Sequence, residues 1–140
     1  MGFMPSRVDH WPDADHWGSM FYTDTMITGA NVSRGDLLTL NASAMWIPTH
    51  AASSGAMPCC GIAFETITSG TTGYVGLFGV YRHDEFPVLV PRQPVFVNNS
   101  TGKITQSAPT TTTNKVQVVG FAIEHDSIWF NPCLVMGEIT

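Results

Sequence analysis

The sequence predicts an all-β fold: a small β-barrel or β-sandwich built from two similar halves, with an extended N-terminal arm. Three observations carry this prediction. From Asn31 onward the chain consists of short β-rich runs separated by clusters of Gly, Pro, Asn and Ser, the punctuation of strands joined by turns. No stretch of ten residues has the 3.6-residue period of an amphipathic helix. A segment beginning at Arg34 is repeated, in order and in residue class, from Arg92. The 140 residues, 44% of them hydrophobic, match the size of one domain with a core of its own.

Residues 1–33 read as the arm. Phe3, Met4, Trp11, Trp17, Met20, Phe21 and Tyr22 follow neither the period of two of a strand nor that of a helix. Pro5, Pro12, Gly18 and the acidic Asp9, Asp13 and Asp15 are interleaved with them, a mixture that does not compact alone. Large aromatic and Met side chains are the types that carry interface energy. These seven apolar residues are therefore the expected partner-binding set, docking on another protein or on a neighbouring subunit.

Residues 34–140 read as the β-domain, with strands expected over Leu37–Leu40, Met57–Thr66, Gly73–Tyr81, Pro94–Val97, Lys115–Ile123 and Ser127–Phe130. The Lys115–Ile123 run becomes apolar on both faces at its end, as a strand does inside a barrel or at an interface. The glycines at 73, 76 and 79 recur every third residue, a spacing that bends a strand at a barrel corner. The repeat covers about 34–65 and 92–124. It aligns Trp46-Ile47-Pro48 with Lys103-Ile104-Thr105, and Gly61-Ile-Ala-Phe-Glu65 with Gly120-Phe-Ala-Ile-Glu124. Each copy is a strand, a tight turn, a short strand, a loop, and a strand containing Gly and Ala. Gly inside a strand weakens it, so its use in both copies predicts a close approach of backbone to backbone.

Composition narrows the function. Charged residues make up 12% of the chain against the usual ~25%, and the net charge is −5. The cations Arg7, Arg34, Arg82, Arg92, Lys103 and Lys115 are scattered singly. No basic stripe is available to neutralise phosphates, so neither nucleic acid nor a membrane is expected as a partner. No apolar run approaches the ~20 residues of a spanning helix, and Met1–Trp11 lacks the basic-then-apolar order of a secretory leader. Cys59, Cys60 and Cys133 are odd in number with two adjacent, which suits neither a disulfide scaffold nor a zinc site, and they read as buried thiols.

Candidate chemistry is sparse. His10 and His16 lie among the arm's carboxylates, but their spacing fits no single face of a helix or strand, and a proline separates them. Arg34-Gly35-Asp36 is the tripeptide displayed by integrin ligands. Here it leads straight into Leu37-Leu38-Thr39-Leu40, so Gly35 is expected to shape a turn and Asp36 to begin a strand. No nucleophile elbow is present. The expectation is a non-enzymatic protein with no catalytic residue, no cofactor and no metal.

Several segments together carry a family resemblance. They are Gly35-Asp-Leu-Leu-Thr-Leu40, Cys60-Gly-Ile-Ala-Phe-Glu65, Tyr74-Val-Gly-Leu-Phe-Gly-Val-Tyr-Arg82 and Pro94-Val-Phe-Val-Asn-Asn-Ser-Thr-Gly-Lys-Ile-Thr-Gln106, then Val116-Gln-Val-Val-Gly-Phe-Ala-Ile123 with Ile128-Trp-Phe-Asn-Pro132. In this order they resemble a β-rich module of tailed bacteriophage particles, which occurs as a head decoration (cement) protein and as a domain attached to other virion proteins. The resemblance covers about residues 34–132. It implies a barrel bound to the outside of the major capsid protein lattice, often as a homotrimer at three-fold positions, clamping neighbouring capsomers. It also implies synthesis in the host cytoplasm and an N-terminal arm lying along the capsid protein. The alternative within the same group is a tail- or fibre-associated receptor-binding domain. The arm here is richer in Trp and Met than the pattern, and Cys59-Cys60 stands where the pattern has aliphatic or Pro-Ala residues.

Overall fold

The computed structural model describes residues 3–7 and 16–140, with side chains placed from residue 27 onward. The protein is all-β, an antiparallel sheet curled into a half-barrel. Among the described residues the helical structure is a single 3-10 turn, Ser54–Ala56. The described residues form twelve strands in chain order: β1 (Phe3–Arg7), β2 (His16–Ile27), β3 (Leu37–Leu40), β4 (Trp46–Pro48), β5 (Gly61–Ala63), β6 (Thr72–His83), β7 (Pro94–Val97), β8 (Ile104–Thr105), β9 (Lys115–Val116), β10 (Val118–Glu124), β11 (Ser127–Phe130) and β12 (Gly137–Glu138).

The two similar halves are visible in the order of pairing. The main path runs β4-β3-β5-β6-β11-β10-β7-β8, which reads the same from either end once the repeat is applied. β3 and β7 are equivalent, each flanked by a short hairpin partner, β4 or β8, and by the Gly-Ala strand, β5 or β10. β6 and β11 form the middle. The hairpin registers agree with the alignment of the repeat: Leu38 faces Pro48 and Thr39 faces Ile47, while Phe96 faces Thr105 and Val97 faces Ile104.

The two glycines of the repeat do different work. In the first half Leu38 faces Gly61, and a Cβ added at Gly61 would lie 2.7 Å from Val75 Cγ1 and 2.9 Å from the Trp46 ring. In the second half a bulge between Val118 and Gly120 slips the register by one, so that Gly120 faces Val95. Gly120 has φ +155, and a Cβ there would run into the carbonyl oxygen of Trp129. The expected backbone-to-backbone approach therefore occurs at Gly120, whereas Gly61 makes room for side chains.

A core spanning both halves holds the curl. Leu37, Ile62 and Phe64 from the first half meet Val95, Val97 and Val119 from the second, around Tyr81, Ile128 and Phe130 of the middle strands. A smaller cluster under the first half gathers Val32, Leu38, Trp46, Ala63, Ile67 and Val75. The far ends of the path are tied by single hydrogen bonds rather than by a ladder. The Leu37 amide donates to the Gly102 carbonyl, the Gly102 amide to Thr49, and the Ala51 amide to Asn98.

Elsewhere the structure differs from the expected elements. Residues 16–27 form a twelve-residue strand that lies antiparallel along β6, from His16 opposite His83 to Ile27 opposite Thr72, and β1 pairs with β2 in turn. Two-sided apolar content hides such a strand from a period-of-two test. The Met57–Thr66 run contributes only Gly61–Ala63, because Pro58 has no amide to give a ladder. Of the cysteines, all free, only Cys59 is buried; Cys60 is half-buried and Cys133 exposed. The expectation of three buried thiols is thus corrected.

Candidate interaction surface

The inner face of the middle strands is committed to the core, with Val119, Ala122, Ile128, Phe130 and Tyr81 all buried. A solvated sheet face normally carries polar residues in alternation. The outer face here does not. On β10, Val118, Phe121 and Ile123 are 40%, 44% and 40% exposed. Trp129 of β11 and Val80 of β6 are half-buried, and Tyr74 and Phe78 of β6 are exposed.

The registers align these residues. Pro94 faces Phe121, Phe121 faces Trp129, Trp129 faces Val80, Val80 faces Ser19, and Ser19 faces Arg7. At the ordinary spacing between strands, these six aligned positions extend roughly 24 Å across the sheet. Pro94, Val118, Phe121 and Trp129, rimmed by Arg92, enclose a shallow hollow of about 390 Å³. An apolar face of this kind marks an interaction site more often than scattered single exposed residues do.

The partner-binding residues predicted from sequence fall on the same sheet. Trp17 lies opposite Arg82, Met20 opposite Gly79, Phe21 opposite Phe78 and Tyr22 opposite Gly76. Phe3 and Met4 of β1 lie opposite Thr23 and Tyr22. Trp11 lies outside the described residues. The backbone thus brings Phe3, Met4, Met20, Phe21 and Tyr22 to the middle of the β2–β6 pairing and Trp17 to one end of it. Sequence reasoning missed Phe121, Trp129 and Phe78 as interface candidates. The available signal was the two-sided apolar end of the Lys115–Ile123 run.

A second feature is a mixed polar and apolar cleft of about 310 Å³ at the seam between the halves, with Arg34, His83, Phe86 and Lys103 in its walls. His83 is buried and packed between Tyr81 and Phe86, with ring centroids 6.3 and 5.6 Å away. Its Nδ1 accepts a hydrogen bond from the Glu85 amide at 2.9 Å, and a Cβ at Gly35 would lie 2.9 Å from its ring. The imidazole therefore shapes the turn after β6 and supports the turn before β3. Asp36 is buried and accepts from the Ser33 amide at 2.9 Å, with the Lys103 ammonium 3.4 Å away. Burial raises its carboxyl above the usual value, and the Ser33 and Lys103 contacts offset this only in part. Gly35 has φ +86 and shapes the expected turn, and the buried Asp36 is not displayed for adhesion. Among the described residues no group of three His, Cys, Asp or Glu is placed to hold a metal ion.

Comparison of the chain with protein families, with curated proteins and with solved structures finds no match.

Proposed function

We propose that this chain is a structural virion protein of the head decoration kind, binding the outside of a major capsid protein lattice as a homotrimer and stabilising the head without catalysis. The observation that carries this reading is the apolar outer face of the sheet, where Phe121, Ile123 and Phe78 are each about two-fifths exposed on a small domain of low charge. A face like that suits permanent contact between proteins. A lattice also repeats one docking surface many times, so several weak contacts made by one symmetric assembly multiply into firm attachment. The segment with Phe3, Met4, Trp11, Trp17, Met20, Phe21 and Tyr22 supports the same reading by its residue types.

The test is to add purified chain to tailed particles that lack it and locate it by cryo-electron microscopy. Density over the capsid lattice, three copies around each local three-fold, is the expected result. Density confined to the tail would transfer the domain to host attachment, and no density on either would sink the virion reading. A Trp11→Ala and Trp17→Ala double variant should lower occupancy by about tenfold or more if the segment holds interface hot spots.

A further inference from the structure

The connection between β6 and β7 carries an apolar tip, Phe86-Pro87-Val88-Leu89-Val90-Pro91. Leu89 is 3% exposed and anchors the tip in the core, whereas Val88 is 86% and Val90 58% exposed. The tip is held at several points. The Leu89 amide donates to the His125 carbonyl at 2.9 Å, and the Gln106 side chain grips Val90 on both sides. Its Oε1 accepts from the Val90 amide at 2.8 Å, and its Nε2 donates to the Val90 carbonyl at 2.9 Å. The amide group of Gln106 thus takes the place of a neighbouring strand. With the backbone of Val90 satisfied, what the tip offers a partner is two fixed branched side chains, whose ordering cost is already met.

The same chain carries a surface of matching chemistry. The hollow on the outer face is lined by Pro94, Val118, Phe121 and Trp129, with exposed Arg92 at its rim. Beside the valine tip stands Glu85, 87% exposed. We propose that the valine tip of one copy seats in the β10–β11 hollow of a second copy, with Glu85 of the first facing Arg92 of the second. Apolar tip and apolar hollow, anion and cation, are complementary between two different patches of one chain. That makes the contact head-to-tail, the kind that closes into a ring when the rotation allows. Tip and hollow are neighbours, since the Arg92 amide donates to the Ala122 carbonyl of β10. The proposal rests on the reading of a self-associating protein and assigns the surface through which its copies meet.

Sedimentation velocity on the full chain at micromolar concentration tests it. The wild type should sediment as a closed oligomer. Val88→Asp with Val90→Asp on the tip, and separately Phe121→Asp in the hollow, should each raise the dissociation constant about tenfold or more. Circular dichroism of each variant is the control for folding. Glu85→Arg and Arg92→Glu should each weaken assembly, and the combined swap should restore it. A monomeric wild type, or tip and hollow variants that assemble like the wild type, would overturn the proposal. Capsid binding separates this outcome from the reading beneath it: a monomer that still decorates capsids defeats only the ring contact, and a ring that ignores capsids defeats only the virion assignment.

Discussion

At the scale of single residues, two buried polar groups decide local stability. Gln117 is 1% exposed. Its Oε1 accepts from the Cys59 amide at 2.7 Å, and its Nε2 donates to the carbonyls of Cys59 and Cys133 at 2.9 and 2.7 Å. One side chain thereby satisfies three backbone groups of two loops that lack a strand partner. Gln117→Leu leaves all three without it, which should cost about 2–5 kcal/mol, read by urea unfolding. A loss under about 1 kcal/mol would mean that water replaces the amide.

Asp36 gives a signed pH dependence. Its carboxyl is raised above 3.8, first by burial. A carboxyl with a higher pKa folded than unfolded favours folding while protonated. That contribution is whole below the unfolded pKa and is lost as pH rises through the folded one. Asp36→Asn keeps an acceptor for the Ser33 amide and removes the titration. The stability of wild type minus variant should therefore fall as pH rises through the carboxylate range, and a flat or rising difference contradicts the assignment.

At the scale of elements, β10 depends on its bulge. The slip between Val118 and Gly120 places Phe121 outward and Ala122 inward, and it requires the Gly-only conformation at 120. Gly120→Ala should destabilise by roughly 2 kcal/mol or more, measured by thermal or urea unfolding. Equal tolerance of Ala and Gly at 120 would show that the bulge can relax. Strands β3, β7 and β11 coincide with the runs read from sequence, because hydrophobic content and turn residues agree there. β2 was not legible, since its register comes from β6, whose paired positions lie 45 to 67 residues away. The Lys115–Ile123 run read as one strand divides into β9 and β10, and the pairing of β9 with β12 was equally hidden. Its two residues per strand carry no pattern, and the cross-strand Lys115–Glu138 ion pair joins positions that only the fold brings together.

At the scale of the whole molecule, the main core draws side chains from both repeat copies and from the strands between them. The two halves therefore share their main core. We expect one cooperative unfolding transition, with far-ultraviolet circular dichroism and Trp fluorescence coinciding in urea. Two separated transitions would mean that the halves fold independently.

Local signals were enough to read from the residues the all-β class, the two-fold internal plan and the strands whose period and turns lie within a few residues of one another. Aromatic residues without a period and a strand apolar on both sides raised the expectation of an interface, which the proposed experiments test. Which apolar residues face solvent was decided only by the tertiary structure. Phe121 and Phe130 are the same residue type on neighbouring strands, and curl, register and one bulge bury the second while leaving the first in the outer row. The valine tip was likewise settled in three dimensions, where the Gln106 side chain hydrogen-bonds the amide and the carbonyl of Val90.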